Sequence, residues 1–330
     1  MNIYDIANEA GVSIATVSRV LNNRSSVNRA TRDKIRAILD KYNYTPSAIA
    51  RGLVAHSMKT VAIFTVDLRA SHYAWTTYTI EREFSRRGYH VIVCNTGGKL
   101  EETREYARSL VSNRQIDGVV LAGPVFDEVG RDPGLSATFG NLPVVVANGQ
   151  LDLPNSYSVL VDDAFGVFLA AEHLVKRGRQ DMVYLKDLDT AGAEIKHDGF
   201  VKAMDKLGRK YTRDMTLATA YGLEGGRQAA ERILQRASRP SAVVCGEDLT
   251  AVGLIKGLAG AGLRIPDDIA VTGYNNSEYS LICSPELTTV DNKGEMSARS
   301  CVQLLEARIN NDSSFSSLRI NPELVIRQSS

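Results

Sequence analysis

Residues 3–22 read IYDIANEAGVSIATVSRVLN, two short amphipathic runs on either side of a tight break at Gly11-Val12-Ser13. Ile3, Ile6 and Ala7 recur at the i, i+3, i+4 spacing that gathers them on one helix face, and Val17, Val20 and Leu21 repeat that spacing after Ala15 and Thr16. Gly11 can take the positive φ that ends a helix, and Ser13 is placed to cap the next one through its hydroxyl. Two helices joined by a short turn containing a glycine predict a helix-turn-helix. The second helix of such a pair is the one that enters a DNA major groove.

Beyond a polar loop at residues 23–26, a third helix is expected from about Arg29 to Tyr42. Its Ile35, Ile38 and Leu39 share one face and can close a small core with Ile6, Val17, Val20 and Leu21. Thr31 and Arg32 stand at its start, where side chains commonly meet phosphates. Tyr44-Thr45-Pro46 stops it. Residues 47–53, SAIARGL, read as one or two marginal helical turns that need something to dock on. Residues 1–60 hold nine Lys and Arg against four acids, an excess of +5, which leaves the rest of this +1 chain at −4. A basic module on a mildly acidic body is what phosphate contact by the module alone requires.

From Thr60 the texture changes. Apolar runs at 61–66, 91–94, 118–122, 144–147, 159–161, 182–185, 217–220, 242–245 and 269–272 alternate with helical segments at 78–87, 101–114, 165–176, 194–207, 225–236 and 251–261. Alternating buried strands and helices predict doubly wound parallel sheets. Nine strands are long for one sheet, so two sequential halves splitting near Asp162 are the economical division. A last helix at 298–309 and a strand at 322–327 fit that division poorly.

Other classes find little support. No run of 18 apolar residues exists, so no membrane span is expected. The opening MNIYDIANEAG lacks the basic start and apolar core of a signal peptide, which predicts a cytoplasmic chain. Cys94, Cys245, Cys283 and Cys301 are scattered without CxxC or a nearby His, so reduced thiols are expected and no metal or cofactor. HExxH, GxSxG and Walker motifs are absent, and Asp162-Asp163 and Asp267-Asp268 read as caps and turns. A solute-binding protein or sugar-processing enzyme on the same α/β body is the alternative. Open parallel sheets bind ligands beyond the carboxyl ends of their strands. Those ends here hold His72, Tyr73 and Trp75, then Asn148, Asp187, Glu247-Asp248, Tyr274-Asn275-Asn276 and Asp291-Asn292. Rings, amides and a few charges suit a polar ring-shaped molecule such as a sugar.

GVSIATVSRVLN at 11–22 and PSAIARGL at 46–53 resemble the lactose- and purine-repressor (LacI/GalR) family of bacterial transcription factors. So do IDG at 116–118, EHL at 172–174, Gly199-Phe200, IPDDI at 265–269, LTTV at 287–290 and PELV at 322–325. The resemblance implies an N-terminal all-α helix-turn-helix headpiece at 1–45 and a hinge helix and linker at 46–59. It further implies a periplasmic-binding-protein-like α/β core of two doubly wound parallel-sheet subdomains, one 60–161 plus 291–319, the other 162–290 plus 320–330. Its implied partners are double-stranded operator DNA, a second copy of the chain and a small-molecule effector, a sugar or sugar derivative. Without a leucine-periodic run before Ser330, a dimer rather than a tetramer is expected.

Carried over by position, Ile14, Ala15 and Arg19 would read bases, with Arg19 able to grip guanine in bidentate fashion. Leu53 would wedge into a minor-groove step. Ser13, Thr16, Asn22, Thr31 and Arg32 would hold phosphates. The effector would meet His72, Tyr73, Asn148, Lys196, Tyr221, Glu247, Asn275 and Asn292. Three of these depart from the family pattern: Lys196 stands for an Arg, Glu247 for an Asn and Asn275 for an Asp.

Overall fold

The computed structural model describes residues 2–21, 26–42, 44 and 57–330, and the chain divides into two compact units, 1–59 and 60–330. Asn22 and residues 46–56 of the expected hinge, Leu53 included, lie outside the described residues.

The first unit holds α1 (Ile3–Ala10), α2 (Ile14–Leu21) and α3 (Arg29–Lys41). Each start has a local cause. The Asn2 side chain accepts from the backbone N–H groups of Tyr4 and Asp5, and Asp5 reaches back to the Asn2 N–H at 2.8 Å, a reciprocal capping box. Gly11 closes α1 at φ 67°. The Ser13 hydroxyl accepts from the Thr16 N–H at 3.2 Å, and Asn28 caps α3 through the Thr31 N–H at 2.8 Å. Ile6, Val17, Val20, Ile35 and Ile38 are buried at the centre, with Ile3, Leu21 and Leu39 packed around them. At about 1.5–3 kcal/mol per large apolar side chain, that core holds three helices too short to persist alone.

The second unit contains two six-stranded sheets. One is ordered β2 (His90–Asn95), β1 (Thr60–Thr65), β3 (Gly118–Ala122), β4 (Val144–Ala147), β5 (Ser156–Val161), β11 (Leu318–Ile320), parallel throughout. The other is ordered β7 (Thr216–Ala218), β6 (Met182–Lys186), β8 (Ala242–Cys245), β9 (Ala270–Tyr274), β10 (Thr288–Asp291), β12 (Glu323–Val325). Only β12 runs antiparallel, against β10. The strands of both sheet centres are buried on two faces, which is why they read as continuous Val-, Ile- and Ala-rich runs.

Helices cover both faces of each sheet. On the first, α4 (Ser71–Arg86) and α12 (Gly294–Ile309) pack on one side. On its other side lie α5 (Leu100–Val111), a 3-10 run (Pro124–Arg131) and α6 (Pro133–Phe139). On the second, α7 (Asp163–Lys176) and α8 (Ala191–Lys206) oppose α9 (Leu223–Leu234) and α10 (Asp248–Gly260). A short α11 (Tyr279–Ile282) precedes β10. The α9–α10 crossing is at backbone contact: a Cβ on Gly226 would lie 2.1 Å from the Thr250 carbonyl oxygen.

A division into sequential halves does not hold. The chain passes from β5 into the second sheet, returns from β10 to α12 and β11 in the first layer, and ends in β12 of the second. Hydrophobic periodicity reports which face of an element is buried and not which sheet buries it, so this exchange has no local signal. Two of the boundaries that moved bear on the site. The helix expected from 78 begins at Ser71, which puts His72, Tyr73 and Trp75 on helical turns rather than in a loop. The strand expected to end at 272 runs on to Tyr274, whose ring is buried. Among the described residues, no helix is long and apolar enough to cross a membrane.

Candidate functional site

The headpiece turns α2 outward. Val17 and Val20 face its core, while Ala15 and Arg19 are exposed and Ile14 is 39% exposed. The hydroxyls of Ser13 and Thr16 lie 3.0 Å apart at the start of the helix. Thr31 and Arg32 are half-buried at the start of α3, and the Arg32 guanidinium donates to the Val27 carbonyl at 3.4 Å. Lys41 ties the far end of α3 to Glu9 of α1 at 2.8 Å. The result is an eight-residue helix whose outer side carries one cation and two small apolar groups, flanked by hydroxyls.

In the body, a cavity of about 280 Å³ opens beyond the carboxyl ends of both sheets. All eight effector positions expected from the sequence line it: His72 and Tyr73 from α4, Asn148 after β4, Lys196 on α8, Tyr221 after β7, Glu247 after β8, Asn275 after β9 and Asn292 after β10. The first two and Asn148 come from the first layer, and Lys196, Tyr221, Glu247 and Asn275 from the second. Asn148 and Asn275 hold positive φ values of 54° and 98°. Such backbone costs a non-glycine residue roughly 1–3 kcal/mol and is tolerated best by Asn, which aims both amides into the cleft.

One buried network organises the floor. Lys196 donates to the Gly246 carbonyl and to Glu247 Oε1, each at 2.9 Å, and its ammonium lies 4.1 Å from the centre of the Tyr274 ring. Glu247 Oε2 accepts from Asn275 at 2.5 Å and stands 3.9 Å from His72 Nδ1. Asn292 donates to Asn275 Oδ1 at 2.9 Å. Burial works against the charge of Lys196, but Glu247 and Asp163 outweigh it and raise its pKa. For His72 burial wins, and its pKa is lowered.

Two acids at this site stand outside the eight effector positions carried over by resemblance. Asp162 and Asp163 both read as caps, yet only Asp162 caps α7, through the Phe165 N–H at 3.0 Å. Asp163 is buried and turned inward, accepting from Tyr274 OH at 2.6 Å and Asn148 Nδ2 at 2.9 Å. The available signal was arithmetic: a helix start needs one capping acid, not two. Asp187 stood among the strand-end residues that suit a polar ligand, but not among the eight effector positions carried over. It lines the cavity, is buried, and accepts from the Thr250 hydroxyl. Burial, reinforced by Glu247, pushes it up to about 7. Beneath the cleft, Asp248 accepts from the Ser277 N–H at 2.7 Å, the Ser277 hydroxyl at 2.8 Å and the Thr289 hydroxyl at 2.5 Å. Burial still pushes it up to about 7.

Comparison with known proteins agrees with this geometry. Residues 2–47 match the family model for bacterial regulatory proteins of the lacI family, and residues 171–330 match a periplasmic binding protein-like domain. An HTH-type transcriptional repressor PurR of Pasteurella multocida is 33% identical over 99% of this chain and 98% of its own length. An HTH-type transcriptional regulator of Lachnoclostridium phytofermentans is 31% identical over 99% of both chains. Among solved structures, the lac repressor dimer bound to operator and the anti-inducer ONPF superposes with a TM-score of 0.85, at 24% identity over 100% of this chain and 98% of that one. A complex of the transcriptional regulator CelR with cellobiose gives 0.72, at 24% identity over the whole of both chains. Full-length likeness above 30% identity, with the helix-turn-helix in place ahead of the two-sheet body, shows that this chain belongs to the lacI family of bacterial regulatory proteins and is a transcriptional regulator, not an enzyme.

Proposed function

We propose that the protein is a repressor of a carbohydrate-utilisation operon, binding its operator as a homodimer and answering to a sugar or sugar derivative held between the two layers of the body. The observation that carries this reading is the convergence of eight polar and aromatic side chains, from both layers, on one cavity. Ile14, Ala15 and Arg19 read bases, Leu53 wedges into the minor groove, and Ser13, Thr16, Asn22, Thr31 and Arg32 hold phosphates. One copy of so small a reading set binds weakly, so two half-sites are needed, and two-fold protein symmetry supplies them. Exposed Trp75 and Tyr78, in edge-to-face contact at 5.7 Å, together with Leu281 and Ile282 (77% exposed), give the body apolar surface to pair with a second copy. Relatives support each part: PurR proteins are repressors, the lac repressor neighbour is a dimer on operator, and CelR holds cellobiose.

Control follows from linkage. The effector contacts both layers, so it favours whichever relative pose it fits, and that pose sets whether two hinge segments can meet on DNA. An operator recovered by selection from random DNA should be bound with an affinity that falls steeply with salt. Leu53→Ala should weaken that binding while leaving the melting shift produced by a cleft ligand intact. Equal loss of both, or of neither, overturns the mechanism.

A further inference from the structure

Resting on the reading of the cleft as the effector site, we propose that the effector is an amino sugar or related amino polyol, bound as its ammonium form. The charges that line the cavity are four acids, Asp67, Asp163, Asp187 and Glu247, and one cation, Lys196. Asp67 is matched by Arg69 at 2.7 Å, outside the floor. Three acids, of which buried Asp187 is only partly ionised at neutral pH, therefore share a single ammonium.

That ammonium is already spent. Its hydrogens go to Gly246 and Glu247, and its remaining side lies on the Tyr274 ring. The neutral donors are partly engaged, each amide keeping a second N–H. Asn148 gives an N–H to Asp163, Asn275 gives one to Glu247, and Asn292 gives one to Asn275. The Tyr274 hydroxyl donates to Asp163, and that of Thr250 to Asp187. Each carboxylate oxygen has about two lone-pair sites, so acceptor capacity carrying negative charge remains at the floor. A ligand that accepts, above all a phosphate, meets like charge. A ligand that only donates meets the carboxylates, and Tyr73 and Tyr221, which also line the cavity, bring aromatic rings of the kind that attract an ammonium. Hydroxyls on the same ligand supply the donors and acceptors for the remaining amide edges.

The test uses the full-length protein at pH 7 and calorimetric titration with glucosamine, galactosamine and mannosamine, each beside its parent hexose and the hexose 6-phosphate. At least one hexosamine should bind about tenfold tighter than its parent, the gain of one charge-assisted hydrogen bond, and the phosphates should not bind. Glu247→Gln should bring that hexosamine down to the level of its parent. Asp187→Asn should do so in part, which keeps the test open if the first variant misfolds. A parent hexose or a phosphate binding as tightly as the amine overturns the inference and leaves a sugar-responsive regulator. Binding by no member of the panel overturns both readings.

Discussion

The headpiece and the cleft present functional groups in opposite ways. On the headpiece, Ile14, Ala15 and Arg19 sit within six consecutive residues, and the side chains that hold the fold, Val17 and Val20, point elsewhere. In the cleft, Lys196 and Asn275 line the cavity while both bond to buried Glu247, and buried Asp163 beside them is held by Asn148 and Tyr274. Function and stability are separable in the first and inseparable in the second. An outward-facing helix can change its surface residues without unfolding the headpiece, whereas a change at the cleft alters the buried contacts that hold the body together.

The comparison can be broken where it is most extreme. Lys196→Ala leaves Glu247 buried with only Asn275 and a distant His72, and should lower the stability of the body by about 3–5 kcal/mol in urea unfolding, abolishing effector binding with it. A stable Lys196→Ala protein would mean that the pair serves only the ligand. Gly226→Ala drives a methyl into the Thr250 carbonyl at the α9–α10 crossing and should cost about 3 kcal/mol or more. Its melting transition should fall while operator selectivity stays the same.

A third measurement concerns Asp187. It keeps its proton to about pH 7 in the folded chain and releases it near 3.8 when unfolded. The folded state thus binds more protons across that window, and its stability drops as pH rises through it. Relative to Asp187→Asn, the wild type should lose roughly 3–4 kcal/mol between pH 4 and 7.5, read from urea midpoints at both pH values. The opposite slope would show that Asp187 is held ionised.

Arg19→Ala sharpens the headpiece side. Operator affinity should fall about ten- to a hundredfold with selectivity relaxed at one base pair, while the melting curve stays put. The smallest effect is expected at Glu9. The Lys41 ammonium holds its carboxyl below the usual range, so the pair is present at neutral pH and lost as pH falls through the carboxylate range. Both groups are exposed, and Glu9→Ala should leave the thermal transition of the headpiece where it is.

What the residues state without a structure is whatever depends on neighbours along the chain. The helix-turn-helix was legible because its caps, its glycine turn and its apolar spacing all act within four residues of each other. The order of strands and helices in the body was legible for the same reason, and positional likeness to a family placed eight cleft residues. Packing decided much of the rest. Asp163 looked like a second cap because a helix start attracts acids wherever it lies, and only the Tyr274 hydroxyl from another strand reveals its inward turn. Burial raised Asp187 and Asp248, and burial is a property of what surrounds a side chain in space. The last exchange of the chain between the two sheets likewise has no local signal, and only the family resemblance implied it ahead of the structure. A strand's periodicity records that one face is covered, and the covering partner can come from anywhere in the sequence.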